Sequence, residues 1–146
     1  MKIAFLPLLS AAIAGVSMAL QGSFNTALSK VIGLMEANFV VHVIGTATLL
    51  VMLCLGLGHG NLTRLGDAPW FAYLGGILSI VILYTVMASI SKLGVAVATT
   101  VIIVGQVSAA LIIDHFGLFG LRAIPFTWWK LLGIILLAAG AKLMLN

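Results

Sequence analysis

Charged side chains are scarce in this sequence. Seven Lys or Arg and three Asp or Glu occur among 146 residues, whereas about a quarter of an average globular chain is charged. This composition excludes a water-soluble domain, and with 63% apolar residues the solvent around the folded chain must be lipid. The net charge of +4 does not indicate nucleic acid as a partner. The basic residues stand singly between apolar runs, as the flanking charges of membrane helices do.

Cysteine pairs and catalytic motifs are absent as well. Cys54 is the single cysteine, so the chain can form no internal disulfide. The sequence contains no nucleotide-binding loop, no metal-ligand cluster and no hydrolase triad. Its acids are Glu36, Asp67 and Asp114, and Asp67 is explained as a helix cap before Pro69. We therefore expect no enzyme activity, no catalytic residue, no bound metal and no other cofactor.

Long apolar runs fill almost the whole chain. A membrane-spanning helix needs about 20 residues, so five helices with short connections nearly exhaust the length. We predict an all-α membrane protein with one transmembrane domain over residues 1–146 and the lipid bilayer as its surroundings. The five predicted helices cover residues 3–28, 34–57, 69–90, 94–114 and 127–145.

Several polar side chains lie inside these apolar runs. A polar amide in hydrocarbon needs a hydrogen-bond partner, so such residues indicate a packed bundle or a water-filled path. Gln21 and Asn25 are four residues apart and share a helical face. Tyr84 is predicted near mid-membrane, where its hydroxyl serves either helix packing or a cavity. The candidate solute-binding residues are Gln21, Asn25, His42, Trp70, Tyr84 and Gln106.

Two acids are candidates for a titratable coupling group. Glu36 is expected in the first turn of the second helix, where the macrodipole favours a carboxylate, or else at the mouth of a cavity. Asp114 precedes His115, but adjacent helical residues point about 100° apart. That angle favours a role for Asp114 in ending the fourth helix over a proton relay.

Small residues at helical spacing predict close helix contacts. Gly75 and Ser79 are four residues apart, with Gly76 beside them. Gly133 and Gly140 are seven apart on the last predicted helix, which suits packing against another helix or a second subunit.

The basic residues barely distinguish the two sides of the membrane. If all five helices span, Lys2, Arg64, Arg122 and Lys130 lie on one side, and Lys30, Lys92 and Lys142 lie on the other. A difference of one charge is too small to fix the orientation. Two oppositely oriented copies would form the inverted pair that alternating-access transporters build from repeats, and this chain has no convincing repeat of its own. We expect an antiparallel homodimer or a heterodimer with a sister chain.

Several short motifs occur in a fixed order along the chain. They are QGSFN at 21–25, Gly75-Gly76 after Trp70, LGVA at 93–96, GQ at 105–106, IDHFG at 113–117, and Gly133 with Gly140. Over nearly the whole chain this series resembles the YdcZ family of half-size, five-helix proteins in the drug/metabolite transporter superfamily. The fourth and fifth helices also resemble, more loosely, the last two helices of the small multidrug resistance proteins.

The resemblance implies a multi-pass protein of the bacterial inner membrane that exports solutes. Gln21, Asn25, Trp70 and Gln106 match the family pattern. The small multidrug resistance proteins bind cations and protons through a glutamate in their first helix. No acid occurs in this first segment, and Glu36 is the only candidate substitute.

We predict a secondary transporter that exports a small organic solute by alternating access, with its cavity at a dimer interface. The alternatives are a passive channel and a membrane partner that assembles without transporting.

Overall fold

The computed structural model describes residues 5–145, which are helical and contain no strand. The predicted all-α class is therefore confirmed for this part of the chain. The predicted start of the first helix at residue 3, and Lys2, lie outside the described residues. The five long helices are α1 (Phe5–Ile32), α2 (Leu34–Cys54), α3 (Leu74–Leu93), α4 (Val95–Phe116) and α5 (Trp128–Met144).

Four helical stretches are long and apolar enough to cross a membrane. They are Phe5–Ile32, Leu34–Cys54, Trp70–Leu93 and Val95–Phe116. The remaining helix, α5, has 17 residues, slightly fewer than the roughly 20 that span a bilayer. Large apolar side chains such as Phe39 and Leu49 are exposed, which suits a lipid environment. The fifth span stays a prediction, as does the single transmembrane domain over residues 1–146.

Single glycines join two pairs of helices. Gly33 separates α1 from α2 with φ 100° and ψ 158°, and Gly94 separates α3 from α4 with φ 78° and ψ 165°. In both, the glycine N–H donates to the carbonyl four residues earlier, and its carbonyl accepts from the N–H four residues later, at 2.9–3.2 Å. Only glycine adopts this backbone region readily.

The segment between α2 and α3 differs from the prediction. Helix α2 ends at Cys54, three residues before the expected end, and two short 3-10 helices follow at Leu62–Asp67 and Trp70–Tyr73. Asp67 does not cap a long helix: it ends the first 3-10 helix and pairs with Arg64 at 2.9 Å. The physical reason is Pro69, which disfavours helical backbone at the residue before it. Ala68 and Pro69 are accordingly extended, and helix formation restarts after them.

The chain divides into two compact units, residues 1–88 and 89–146. In the first unit, α1 packs against α2, and Ala37 and Met87 are fully buried. In the second unit, α4 packs against α5, and Ala98 and Ala141 are buried. The polar residues of interest are described below within each unit.

Candidate functional site

The first unit contains a histidine whose two ring nitrogens both have partners. His42 lies half-buried on α2, and its Nδ1 is 2.8 Å from the backbone carbonyl oxygen of Asn38, one helical turn earlier. Its Nε2 is 2.9 Å from the hydroxyl oxygen of Ser79 on α3. The imidazole therefore connects two apolar helices through polar contacts.

Asn38 makes a second connection between the same helices. Its side chain is buried, and Nδ2 donates to the Ile80 carbonyl at 2.8 Å. Its Oδ1 has no partner within residues 5–145. A buried amide in apolar surroundings is costly unless it is paired, so this contact fixes α3 against α2 at one register.

A cavity of about 400 Å³ opens beside His42. Its polar lining consists of Gln21 from α1, His42 and Thr46 from α2, and Ser79 from α3. The remaining walls are formed by Val41, Gly45, Leu49, Ile82 and Leu83. The Gln21 side chain is exposed and has no hydrogen-bond partner among the described residues. Its amide is thus available to a bound molecule as both donor and acceptor.

Two further cavities continue along α2 and α3. One of about 200 Å³ is lined by Met35, Asn38, Phe39, His42 and Ile80. The next, of about 400 Å³, is lined by Met35, Ile80, Val81, Tyr84 and Thr85. His42 borders the first two cavities, while Tyr84 lies in the third and does not line the Gln21 cavity.

The other candidates of the first unit lie away from the Gln21 cavity. Asn25 is buried and its Nδ2 has no partner among the described residues. Trp70 is 75% exposed in the Trp70–Tyr73 segment. Glu36 occupies the first turn of α2, which was one of its two predicted positions. Its carboxylate lies close to Gly33. It lines none of the three cavities above.

Gln106 and Asp114 belong to the second unit. The Gln106 side chain is exposed on α4. The backbone carbonyl of Asp114 accepts from the Ile124 N–H at 2.7 Å, and α4 ends at Phe116 before the left-handed Gly117. Asp114 thus lies in the last turn of its helix, and its carbonyl holds the following loop.

The predicted packing glycines have open surroundings. A methyl group added at Gly75, Gly76, Gly133 or Gly140 would meet nothing within 4 Å among the described residues. Their role in helix or dimer contacts stays a prediction. Ser79, grouped with them from its spacing, instead contacts His42.

The sequence did not reveal the roles of Asn38 and Ser79. Asn38, His42 and Thr46 recur every four residues, which indicates a shared helical face. Ser79 is 37 residues from His42 along the chain, so no local spacing could pair them. Within residues 5–145, no group of three or more His, Cys, Asp or Glu side chains is placed to hold a metal ion.

Comparison with known proteins gives a family match. The profile described as "Putative inner membrane exporter, YdcZ" matches residues 6–143, and no curated protein and no solved structure matches the chain. The matched range covers nearly all of the 146 residues and includes every motif that carries the resemblance. The chain therefore belongs to the YdcZ family of the drug/metabolite transporter class.

Proposed function

We propose that this protein exports a small organic solute across the bacterial inner membrane by alternating access. One observation carries the proposal: the unpaired Gln21 amide faces a cavity that also presents His42, Thr46 and Ser79 between apolar helices. Its volume of about 400 Å³ is within the range of about 300–1,000 Å³ typical of small-molecule sites. The family description supports export across the inner membrane.

The lining favours an amphipathic solute. The Gln21 amide and the Thr46 hydroxyl can each donate and accept hydrogen bonds, while Val41, Leu49 and Ile82 offer an apolar wall. No acidic side chain of the described residues lines this cavity. The site therefore suits an uncharged molecule with one polar end better than a multiply charged cation.

The proposed functional unit is an antiparallel dimer of five-helix chains. The near balance of four against three basic residues between the two sides allows both orientations. In the dimer, Asn25, Tyr84 and Gln106 are proposed to complete the solute path. The glycines of α3 and α5 are proposed to form close helix contacts.

Reporters at the C-terminus test this arrangement. One reporter is active only in the cytoplasm and the other only outside it. Signal from both is expected, because the chain inserts in both orientations. Signal from one alone would overturn the homodimer and direct the search to an oppositely oriented sister chain.

Efflux from proteoliposomes tests the transport proposal. Vesicles are loaded with a uniformly ¹³C-labelled metabolite extract, and mass spectrometry identifies the compounds released. Thr46→Ala should reduce release of any transported compound. The matched control is Thr48→Ala, whose hydroxyl donates to the Ile44 carbonyl of its own helix at 2.8 Å and lines none of the described cavities. Release no greater than from protein-free vesicles would contradict the exporter assignment.

A saturation test then separates export from passive conduction. Alternating access predicts release that saturates with solute concentration, since the conformational steps take microseconds to milliseconds. Release that rises without saturation would favour a channel.

A further inference from the structure

The hydrogen bonds around His42 indicate how many protons the imidazole holds. Nδ1 faces the Asn38 carbonyl oxygen at 2.8 Å. A carbonyl oxygen can only accept, so Nδ1 must carry a hydrogen. In a neutral ring, this leaves Nε2 with a lone pair and no hydrogen.

The contact with Ser79 bears on whether Nε2 carries a hydrogen as well. The Ser79 hydroxyl oxygen lies 2.7 Å from the Gly76 carbonyl, to which it donates, and 2.9 Å from Nε2 of His42. A hydroxyl has one hydrogen. When that hydrogen points to Gly76, only a lone pair faces Nε2, and the contact requires that Nε2 donate.

The contacts form a series from the Asn38 carbonyl through His42 and Ser79 to the Gly76 carbonyl, and the number of hydrogens it needs can be counted. Carbonyl oxygens stand at both ends, on Asn38 and Gly76, and three contacts lie between them. Three contacts need three hydrogens. A neutral imidazole and one hydroxyl supply two, whereas an imidazolium and one hydroxyl supply three. All three contacts are hydrogen bonds at the same time only when His42 is doubly protonated; beside a neutral ring, the Ser79 hydroxyl donates either to Nε2 or to the Gly76 carbonyl.

No other ionisable side chain competes for this proton within the helices that surround His42. The other ionisable side chains of α1, α2 and α3 are Lys30, Glu36, Cys54, Tyr84 and Lys92. None of them lines either cavity that His42 borders. Histidine is also the side chain whose charge normally changes near neutral pH.

We propose that His42 is the proton-binding residue of the transporter. A proton from water enters a cavity and binds the Nε2 lone pair, which completes the series from Asn38 to Gly76 and ties α2 to α3. Release of that proton removes the donor that faces Ser79, and the His42–Ser79 contact competes with the Ser79–Gly76 contact. Protonation thereby stabilises the arrangement of α2 and α3 in which His42 contacts Ser79. The coupling role rests on the proposed export function, whereas proton binding does not.

Nitrogen NMR of the full-length protein in lipid nanodiscs tests proton binding without any solute. Histidine is ¹⁵N-labelled in a background with His59→Gln and His115→Gln, so that the signals belong to His42. Across a series of pH values, we expect two forms of the ring, one doubly protonated and one that keeps its hydrogen on Nδ1 alone.

Ser79→Ala is the decisive variant because it removes the acceptor that faces Nε2. At one fixed pH, we expect a smaller fraction of doubly protonated His42 in Ser79→Ala than in the parent protein, because the charged ring loses one hydrogen-bond acceptor. Ser23→Ala is the matched control. Its hydroxyl also donates to a carbonyl of its own helix, that of Ala19 at 2.8 Å, and contacts no histidine. An unchanged fraction in Ser79→Ala would overturn the proposal.

Efflux with and without an inward proton gradient distinguishes the two proposals. A lowered fraction of doubly protonated His42 in Ser79→Ala, together with no efflux of any labelled metabolite, would contradict export and leave the proton site standing. An efflux rate that does not change with the proton gradient would overturn the coupling role of His42 and leave export standing.

Discussion

His42 and His115 use the same ring in opposite ways. His42, in the first unit, contacts a carbonyl oxygen and a hydroxyl oxygen, and in our proposal the ring donates to both when it is doubly protonated. His115, in the second unit, accepts a hydrogen bond at Nδ1 from the Phe126 N–H at 3.3 Å. A proton on that nitrogen would remove the contact. Protonation therefore strengthens a helix-to-helix connection at one histidine and weakens a loop contact at the other.

The surroundings of the two rings differ in polarity. His42 borders a cavity with Gln21, Thr46 and Ser79 in its lining. His115 packs edge-on against Phe116 and Phe126, with ring centroids 4.8 and 6.5 Å apart. The cavity beside it, of about 310 Å³, has an almost wholly apolar lining. The proposed solute site was therefore placed in the first unit, where polar contacts join helices, whereas the histidine of the second unit contacts a loop.

The largest expected effect tests this contrast directly through transport. His42→Gln should lower solute efflux about tenfold or more, since loss of a charge-assisted hydrogen bond changes an equilibrium by at least that factor. His115→Gln should leave efflux within about twofold, because the loop contact is exposed and neutral. Initial efflux rates from proteoliposomes measure both. Equal losses in the two variants would contradict the assignment of distinct roles.

The next effect compares the glycine junctions of the two units. Gly94→Ala should destabilise the protein by about 2 kcal/mol, because its backbone lies in a region that other residues rarely adopt. Gly33→Ala should cost a similar amount, because its φ of 100° is also rare for other residues and the Glu36 carboxylate, at the end of a flexible side chain, can move away from the added methyl group. Thermal unfolding in detergent measures both losses. Gly105→Ala, within helix α4 and with nothing within 4 Å, is the control and should be neutral or stabilising.

A smaller effect separates the paired from the unpaired buried amides of the first unit. Asn38→Ala removes the hydrogen bond to Ile80 and should lower the free energy of unfolding by about 1 kcal/mol. Asn25→Ala should cost less, because Nδ2 of Asn25 has no partner among the described residues. Unfolding of the two variants under identical detergent conditions checks the difference. A larger loss for Asn25→Ala would show that this amide is paired in the membrane.

The smallest effect lies at the loop that His115 contacts. His115→Leu removes the acceptor for the Phe126 N–H and should weaken the loop by about 0.5 kcal/mol, typical of one exposed neutral hydrogen bond. Hydrogen exchange of the Phe126 amide, followed by NMR, reports this change. His59→Leu is the control and should leave the exchange rate unchanged. An equal exchange rate in His115→Leu and the parent protein would refute the acceptor role of Nδ1.

The sequence was sufficient to predict the helical class, the approximate position of the helices and the family. Long apolar runs depend on local chemistry, which spacing along the chain reveals. The sequence was insufficient at Asp67, which was predicted to cap a long helix. Pro69 keeps the preceding residue, Ala68, extended, so helical backbone resumes only after Pro69. The sequence also did not reveal the contact between Ser79 and His42, because that contact depends on how two helices separated by 37 residues of chain lie against each other.

The one-residue connection at Gly33 also determines where the chain tolerates added length. An extra residue there would rotate α2 by about 100° and shift it by about 1.5 Å relative to α1. His42 would then no longer share a cavity with Gln21. The segment between Cys54 and Trp70 is instead exposed and contains one short 3-10 helix, Leu62–Asp67. Epitope tags, fluorescent labels and cross-linking residues belong in that segment, where added length leaves the α1–α2 register intact.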